Sequence, residues 1–130
     1  MPGQFKLLGN SNDLIILGEL RISREPWPLF DVSGSVIEFN GIVTVSSGVH
    51  ILTHDHHFHK KNWRDMEKIL SVKPTVICEF SFIGINAIIM PTCKYIGKHS
   101  VIAAGAIITK DVPDCEIWAG NPAIKIGDVI

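Results

Sequence analysis

Cysteine is scarce in this 130-residue chain: Cys78, Cys93 and Cys115 stand far apart, with no CxxC pair. An odd count at wide spacing argues against a disulfide framework and fits a reducing compartment, so a cytoplasmic location is expected. Charge of one sign is lacking as well. Twelve Lys and Arg face thirteen Asp and Glu, a net charge of -1. That leaves no basic excess to neutralise phosphates, and a nucleic-acid partner is not expected. Long apolar runs are missing: the longest are tetrads such as Leu14-Ile15-Ile16-Leu17, against roughly 20 residues for a membrane span. No membrane partner is expected. Met1-Pro2-Gly3-Gln4 has neither a charged start nor a following apolar block, so no signal peptide is expected either.

What the chain does have is apolar content. Apolar residues make up 46% and charged residues 19%, with a mean hydropathy of +0.27, which excludes disorder. The length predicts a single domain over residues 1–130.

The apolar residues follow a period of six. Ile77, Ile83 and Ile89 are six apart, as are Ile96, Ile102 and Ile108. Four positions after these lie Ser81, Ala87, Cys93, Ser100, Ala106 and Val112, all small or β-branched. Neither helical spacing nor plain strand alternation produces two such positions per six residues. Short strands separated by sharp bends do, and three such hexads close a triangular coil that stacks on its neighbours as a β-helix. A weaker copy upstream steps through Ile37, Val43 and Val49, with Gly41, Ser47 and Thr53 as its small positions. Between the two tracts, residues 54–74 lose the period and read as a long loop thrown out of one coil, a length usually tied to function. Residues 1–35 read as an irregular first coil and cap. One residue more than strict hexads allow separates Pro91 from Ile96, which predicts a small bulge at Tyr95.

Residues 74–125 resemble the hexapeptide-repeat acyltransferases, specifically the galactoside and maltose O-acetyltransferase branch. The likeness is carried by Phe82-Ile83-Gly84, Ser100-Val101-Ile102-Ala103-Ala104-Gly105-Ala106, Ile108-Thr109-Lys110-Asp111-Val112-Pro113 and Ala119-Gly120-Asn121-Pro122-Ala123. Upstream, Gly48-Val49-His50-Ile51-Leu52-Thr53-His54-Asp55-His56 looks like the segment that ends in the family's catalytic histidine. The resemblance implies an all-β, left-handed parallel β-helix. It also implies a homotrimer with acetyl-CoA bound between subunits, and transfer of an acetyl group to a hydroxyl or amine of a sugar-like acceptor.

Four of the six histidines fall at 54, 56, 57 and 59, beside Asp55. Acetyl transfer needs a base near neutral pH, and imidazole suits that task. A gapless count places the family histidine at His56, with Thr53 matching the threonine three positions earlier; His54 is the alternative. His57 and His59 read as loop residues or acceptor contacts. Against the family pattern, Ile85 takes the place whose backbone N–H faces the thioester oxygen. Ala104, Thr109 and Lys110 match positions that contact CoA. Where a basic residue usually follows Pro-Ala stands Ile124, and Lys125 takes over from the next position. Trp27, Phe30, Asp31, Trp63 and Arg64 are candidate sugar contacts by chemistry alone. The histidines also admit a metal reading, because imidazole is a common zinc ligand. The γ-class carbonic anhydrases share the implied fold, but they place their ligands on different coils. No metal is therefore expected, and a metal-dependent or non-catalytic trimer is the second reading.

Overall fold

The computed structural model describes residues 4–56, 61, 67–68 and 73–130, with the side chains of His56, Glu67 and Lys68 outside that description. The chain winds as a left-handed parallel β-helix with three flat faces. Face A stacks β1 (Lys6–Leu8), β3 (Leu29–Asp31), β5 (His50–Ile51), β10 (Ile88–Ile89) and β13 (Ile107–Ile108). The long strands β2 (Leu14–Arg21) and β4 (Ile37–Val45) pair in parallel over their whole common length and each spans two faces. On face B the first half of β4 pairs with β8 (Thr75–Ile77), which pairs with β11 (Tyr95–Ile96). On face C its second half pairs with β9 (Phe82–Ile83), followed by β12 (Val101–Ile102) and β14 (Glu116–Gly120). The last strand, β15 (Ala123–Asp128), folds back antiparallel on β14.

The interior is a set of stacked ladders. Phe30, Ile51, Ile89 and Ile108 line face A; Phe39, Ile77, Ile96 and Val112 line face B; Val45, Ile83, Ile102 and Trp118 line face C. All are buried, and burying a side chain of this size contributes about 2 kcal/mol. The small positions Ser81, Ala87, Cys93, Ser100 and Ala106 are buried as well. They give the bends room to turn inside a narrow triangular section.

Four expectations are corrected here. Ile37, Val43 and Val49 are buried, but Phe39, Val45 and Ile51 stand opposite Ile77, Ile83 and Ile89. The upstream phase slips by two because strand neighbours i and i+2 face the same way, and both are bulky there. Val112, read as a small position, bridges Ile96 and takes an isoleucine's place. Residues 14–31 form a regular coil paired strand for strand with the next one. The extra residue near Tyr95 sits in the turn Met90–Lys94, five residues where Cys78–Ser81, Gly84–Ala87, Gly97–Ser100 and Ala103–Ala106 have four.

The long excursion leaves after β5 at the edge between faces A and B. Its described part includes an antiparallel pair of β6 (Asp55–His56) and β7 (Glu67–Lys68).

Candidate active site

The A/B edge gathers polar groups from successive coils. Asp31 ends β3, and in the next coil Thr53 and His54 follow β5. The parallel register Phe30 to Ile51 sets these segments side by side. The Asp31 side chain is fully buried, and its Oδ2 meets His54 Nδ1 at close hydrogen-bonding distance. The His54 side chain keeps 29% exposure. Ser33 closes the arrangement: its hydroxyl donates to Asp31 Oδ1 at 2.5 Å and lies 2.9 Å from His54 Nδ1, while its N–H donates to Asp31 Oδ1 at 2.9 Å.

A buried carboxylate costs free energy unless it is hydrogen-bonded. Burial pushes the Asp31 pKa up. The Ser33 hydroxyl, the Ser33 N–H and His54 together outweigh that, and the carboxyl sits below its ordinary value. An ionised Asp31 is an acceptor only, so it fixes the proton on His54 Nδ1 and leaves the basic lone pair on Nε2.

Thr53 locks the turn that carries this pair. Its hydroxyl donates to the Asp31 carbonyl at 2.7 Å and accepts from the N–H groups of Gly34 at 3.0 Å and Ser35 at 3.1 Å. Glycine is required at 34 because a Cβ there would lie 2.1 Å from the Thr53 carbonyl oxygen.

Ile85 and Ala104 occupy matching turns of consecutive coils at the opposite edge of face A, where face C meets it. The Gly105 N–H donates to the Ile85 carbonyl at 2.8 Å. Gly84 permits this closeness, since a Cβ on it would lie 2.6 Å from the Ala104 nitrogen. Ile85 is 53% exposed, and among the described residues neither its N–H nor that of Ala104 donates to a backbone carbonyl. Thr109 and Lys110 lie at the A/B edge after β13. Lys125 lies on β15, away from both edges, and its ammonium pairs with Asp128 at 2.8 Å and Glu116 at 3.4 Å.

The structure therefore brings Ile85 and Ala104 together, sets Thr109 and Lys110 on the other margin of face A, and leaves Lys125 apart. His56 contributes its backbone to β6; its side chain lies outside the described residues, as do His57, His59, Trp63 and Arg64. One candidate sugar contact is corrected, since Phe30 is wholly inside the core; Trp27 is partly buried and packs against that core. Ser33 had no sequence signal, and Asp31 stood out only as an acid beside aromatics. Their link to His54 depends on coil register. Among the described residues, no three His, Cys, Asp or Glu side chains group as a metal site, and no helix is long and apolar enough to cross a membrane.

No family model matches the sequence. Over 53 residues the chain is 43% identical to 2,3,4,5-tetrahydropyridine-2,6-dicarboxylate N-acetyltransferase of Staphylococcus aureus, covering 41% of this chain and 22% of the relative. It thus spans about a fifth of the length of the curated relatives it matches. A hexapeptide-repeat acetyltransferase from Vibrio cholerae superposes with a TM-score of 0.80 at 25% identity, over 95% of this chain and 67% of that one. A maltose O-acetyltransferase from Clostridium difficile gives 0.76 at 24% identity, over 100% and 69%. A galactoside acetyltransferase solved with coenzyme A gives 0.59 at 23%, over 90% and 64%. In sequence and in fold the chain is similar to the hexapeptide-repeat acyltransferases, with maltose and galactoside acetyltransferases among its structural neighbours.

Proposed function

We propose that this chain is an acetyl-CoA-dependent acetyltransferase whose acceptor is a hydroxyl or amine of a sugar or related small molecule. The observation that carries the reading is the buried Asp31 carboxylate against His54 Nδ1. A histidine held in one tautomer by a buried carboxylate is poised as a base through its other nitrogen. His54 Nε2 takes the acceptor's proton as the acceptor oxygen or nitrogen attacks the thioester carbonyl. The C–S bond then breaks, and CoA leaves as its thiol once it regains the proton.

His54 is the base this geometry favours. His56 is the base the gapless count favours, and the two are separated by mutation. At the other edge of face A, the N–H groups of the exposed residues Ile85 and Ala104 suit the pantetheine and thioester oxygens of acetyl-CoA. A backbone donor aimed at the developing oxyanion is worth on the order of 100-fold in rate. Thr109 and Lys110 suit the phosphate-bearing part. Lys125, already paired with two carboxylates, would have to exchange partners to join them.

Base and donor edge lie on opposite margins of one face. A homotrimer with the site between subunits would bring one copy's His54 to a neighbour's donor edge, so we include the trimer in the proposal. A cytoplasmic location goes with it, since all three cysteines are free thiols.

The test is CoA-thiol release with an acceptor panel on wild type, His54→Ala and His56→Ala, alongside melting temperatures with coenzyme A or zinc. Saturating ligand at 100 times its Kd should stabilise the fold by about 2.7 kcal/mol. Loss of turnover in His54→Ala with the CoA effect retained supports the reading. Loss in His56→Ala alone moves the base to His56. A rise with zinc and none with CoA sinks the transferase.

A further inference from the structure

The longer turn Met90–Lys94 places Lys94 just before β11. Tyr95 pairs with Val76 and Val76 with Glu38, so Lys94 lies one coil below Thr75 and two below the turn that carries Ser33 and Ser35. Its side chain spans the coil where the excursion rejoins the helix, and Nζ donates to Ser35 Oγ at 3.2 Å. Ser35 is two residues along the turn from Ser33, which touches His54, and its own N–H donates to Thr53.

The ammonium is poorly compensated. It carries three donors, and among the described residues its one hydrogen-bond partner is the neutral Ser35 hydroxyl. Asp111, the nearby carboxylate, accepts from the Lys94 backbone N–H at 2.8 Å and forms no ion pair with Nζ. Lys98 and Lys125, by contrast, pair with Glu79 and with Glu116 and Asp128. Burial pulls the Lys94 pKa below its ordinary value, with Cys93 and Asp111 pulling the other way. A half-buried cation with donors to spare, on the same edge as the proposed base, is suited to hold an anion.

We infer that the acceptor carries an oxyanion, a carboxylate or a phosphate, which the Lys94 ammonium holds at the A/B edge beside His54. The inference rests on the acetyl-transfer reading and adds the acceptor's charge to it.

Matched acceptors test it: glucosamine against glucosamine 6-phosphate, and galactose against galacturonate, on wild type, Lys94→Met and Lys94→Arg. Wild type should favour the anionic member of at least one pair. Lys94→Met should cut that selectivity about tenfold or more through a higher KM for the anionic member, the size of a lost charged hydrogen bond. Lys94→Arg should keep most of it. Wild-type turnover without anionic preference overturns the inference alone. A higher KM for acetyl-CoA in Lys94→Met also overturns it, since the ammonium would then serve the donor's phosphates. A lowered melting temperature with unchanged selectivity reduces Lys94 to a strap across the excursion. No wild-type turnover with any acceptor and no CoA-induced stabilisation strikes the acetyl-transfer reading itself, and this inference with it.

Discussion

His54 and Asp31 are 23 residues apart in sequence and in direct contact through Nδ1 and Oδ2, because they follow strands that stack on face A. The contact joins the turn after one coil to the turn after the next. It is fixed from below by Thr53, whose hydroxyl holds the intervening 31–35 loop at three points.

Asp31→Asn keeps the side chain's shape and removes the charge. The amide would no longer hold the proton on Nδ1, and kcat should fall by about 100-fold or more, as when a triad aspartate is neutralised. CoA-induced stabilisation should persist. Ser33→Ala removes one hydrogen bond to that carboxylate, worth about 1 kcal/mol, and should lower kcat about fivefold. Single-turnover rates and CoA melting shifts check both; an unchanged rate in Asp31→Asn would remove the pair from the mechanism.

The depressed pKa of Asp31 makes a prediction for stability. A carboxylate favoured in the folded state stabilises fully above its unfolded value of about 3.9. That contribution disappears as pH falls through the lower folded value. The melting-temperature gap between wild type and Asp31→Asn should therefore be widest above pH 5 and narrow steadily below pH 4. A gap that widened on acidification would contradict the assignment.

Among the described residues, two buried hydroxyls, Thr75 Oγ1 and Ser81 Oγ, have no hydrogen-bond partner. Burying an unpaired hydroxyl costs on the order of 1–3 kcal/mol. Thr75→Val and Ser81→Ala should each raise the melting temperature by several degrees. Ser100 differs, since its hydroxyl donates to the Gly97 carbonyl at 2.7 Å. Ser100→Ala should be neutral or destabilising, and calorimetry on the three variants distinguishes the cases.

Thiol reactivity should follow burial. Cys93 is fully buried, and desolvation pushes its pKa up to about 12. Cys78 is buried and Cys115 is exposed. Iodoacetamide at pH 8 should label Cys115 in the native protein, and Cys78 and Cys93 only after unfolding. Peptide mapping reads the result. Native labelling of Cys93 would mean that the small-residue core opens.

The hexad of isoleucines was legible because each coil repeats one constraint: a large apolar residue on each face and a small one at each bend. From Ile77 to Ile108 the ladder is legible residue by residue; beyond it Val112 takes an isoleucine's place. Upstream, Ile37 and Phe39, Val43 and Val45, and Val49 and Ile51 all face inward, so two phases fit the sequence equally and only the strand register separates them. The first coil reads as irregular in sequence because β2 runs as one eight-residue strand, its passage between two faces marked by Gly18 at φ +127 rather than by a hexad of bulky and small residues.

The site divides in the same way. Histidine chemistry in residues 54–59 is a property of local sequence and pointed to a base, whereas the donor edge at Ile85 and Ala104 is what the family resemblance implies. Ser33 and Lys94 carry no local mark, and Asp31 is marked only as an acid beside aromatics. Each reaches the A/B edge only because parallel strands stack in one register, which brings residues some twenty to sixty positions apart within reach. Composition and the period of six determined that this chain coils and where its interior lies. The tertiary structure alone decided which polar groups meet at an edge, because charge and hydrogen bonding act through space, and only the coil's circumference converts sequence separation into distance.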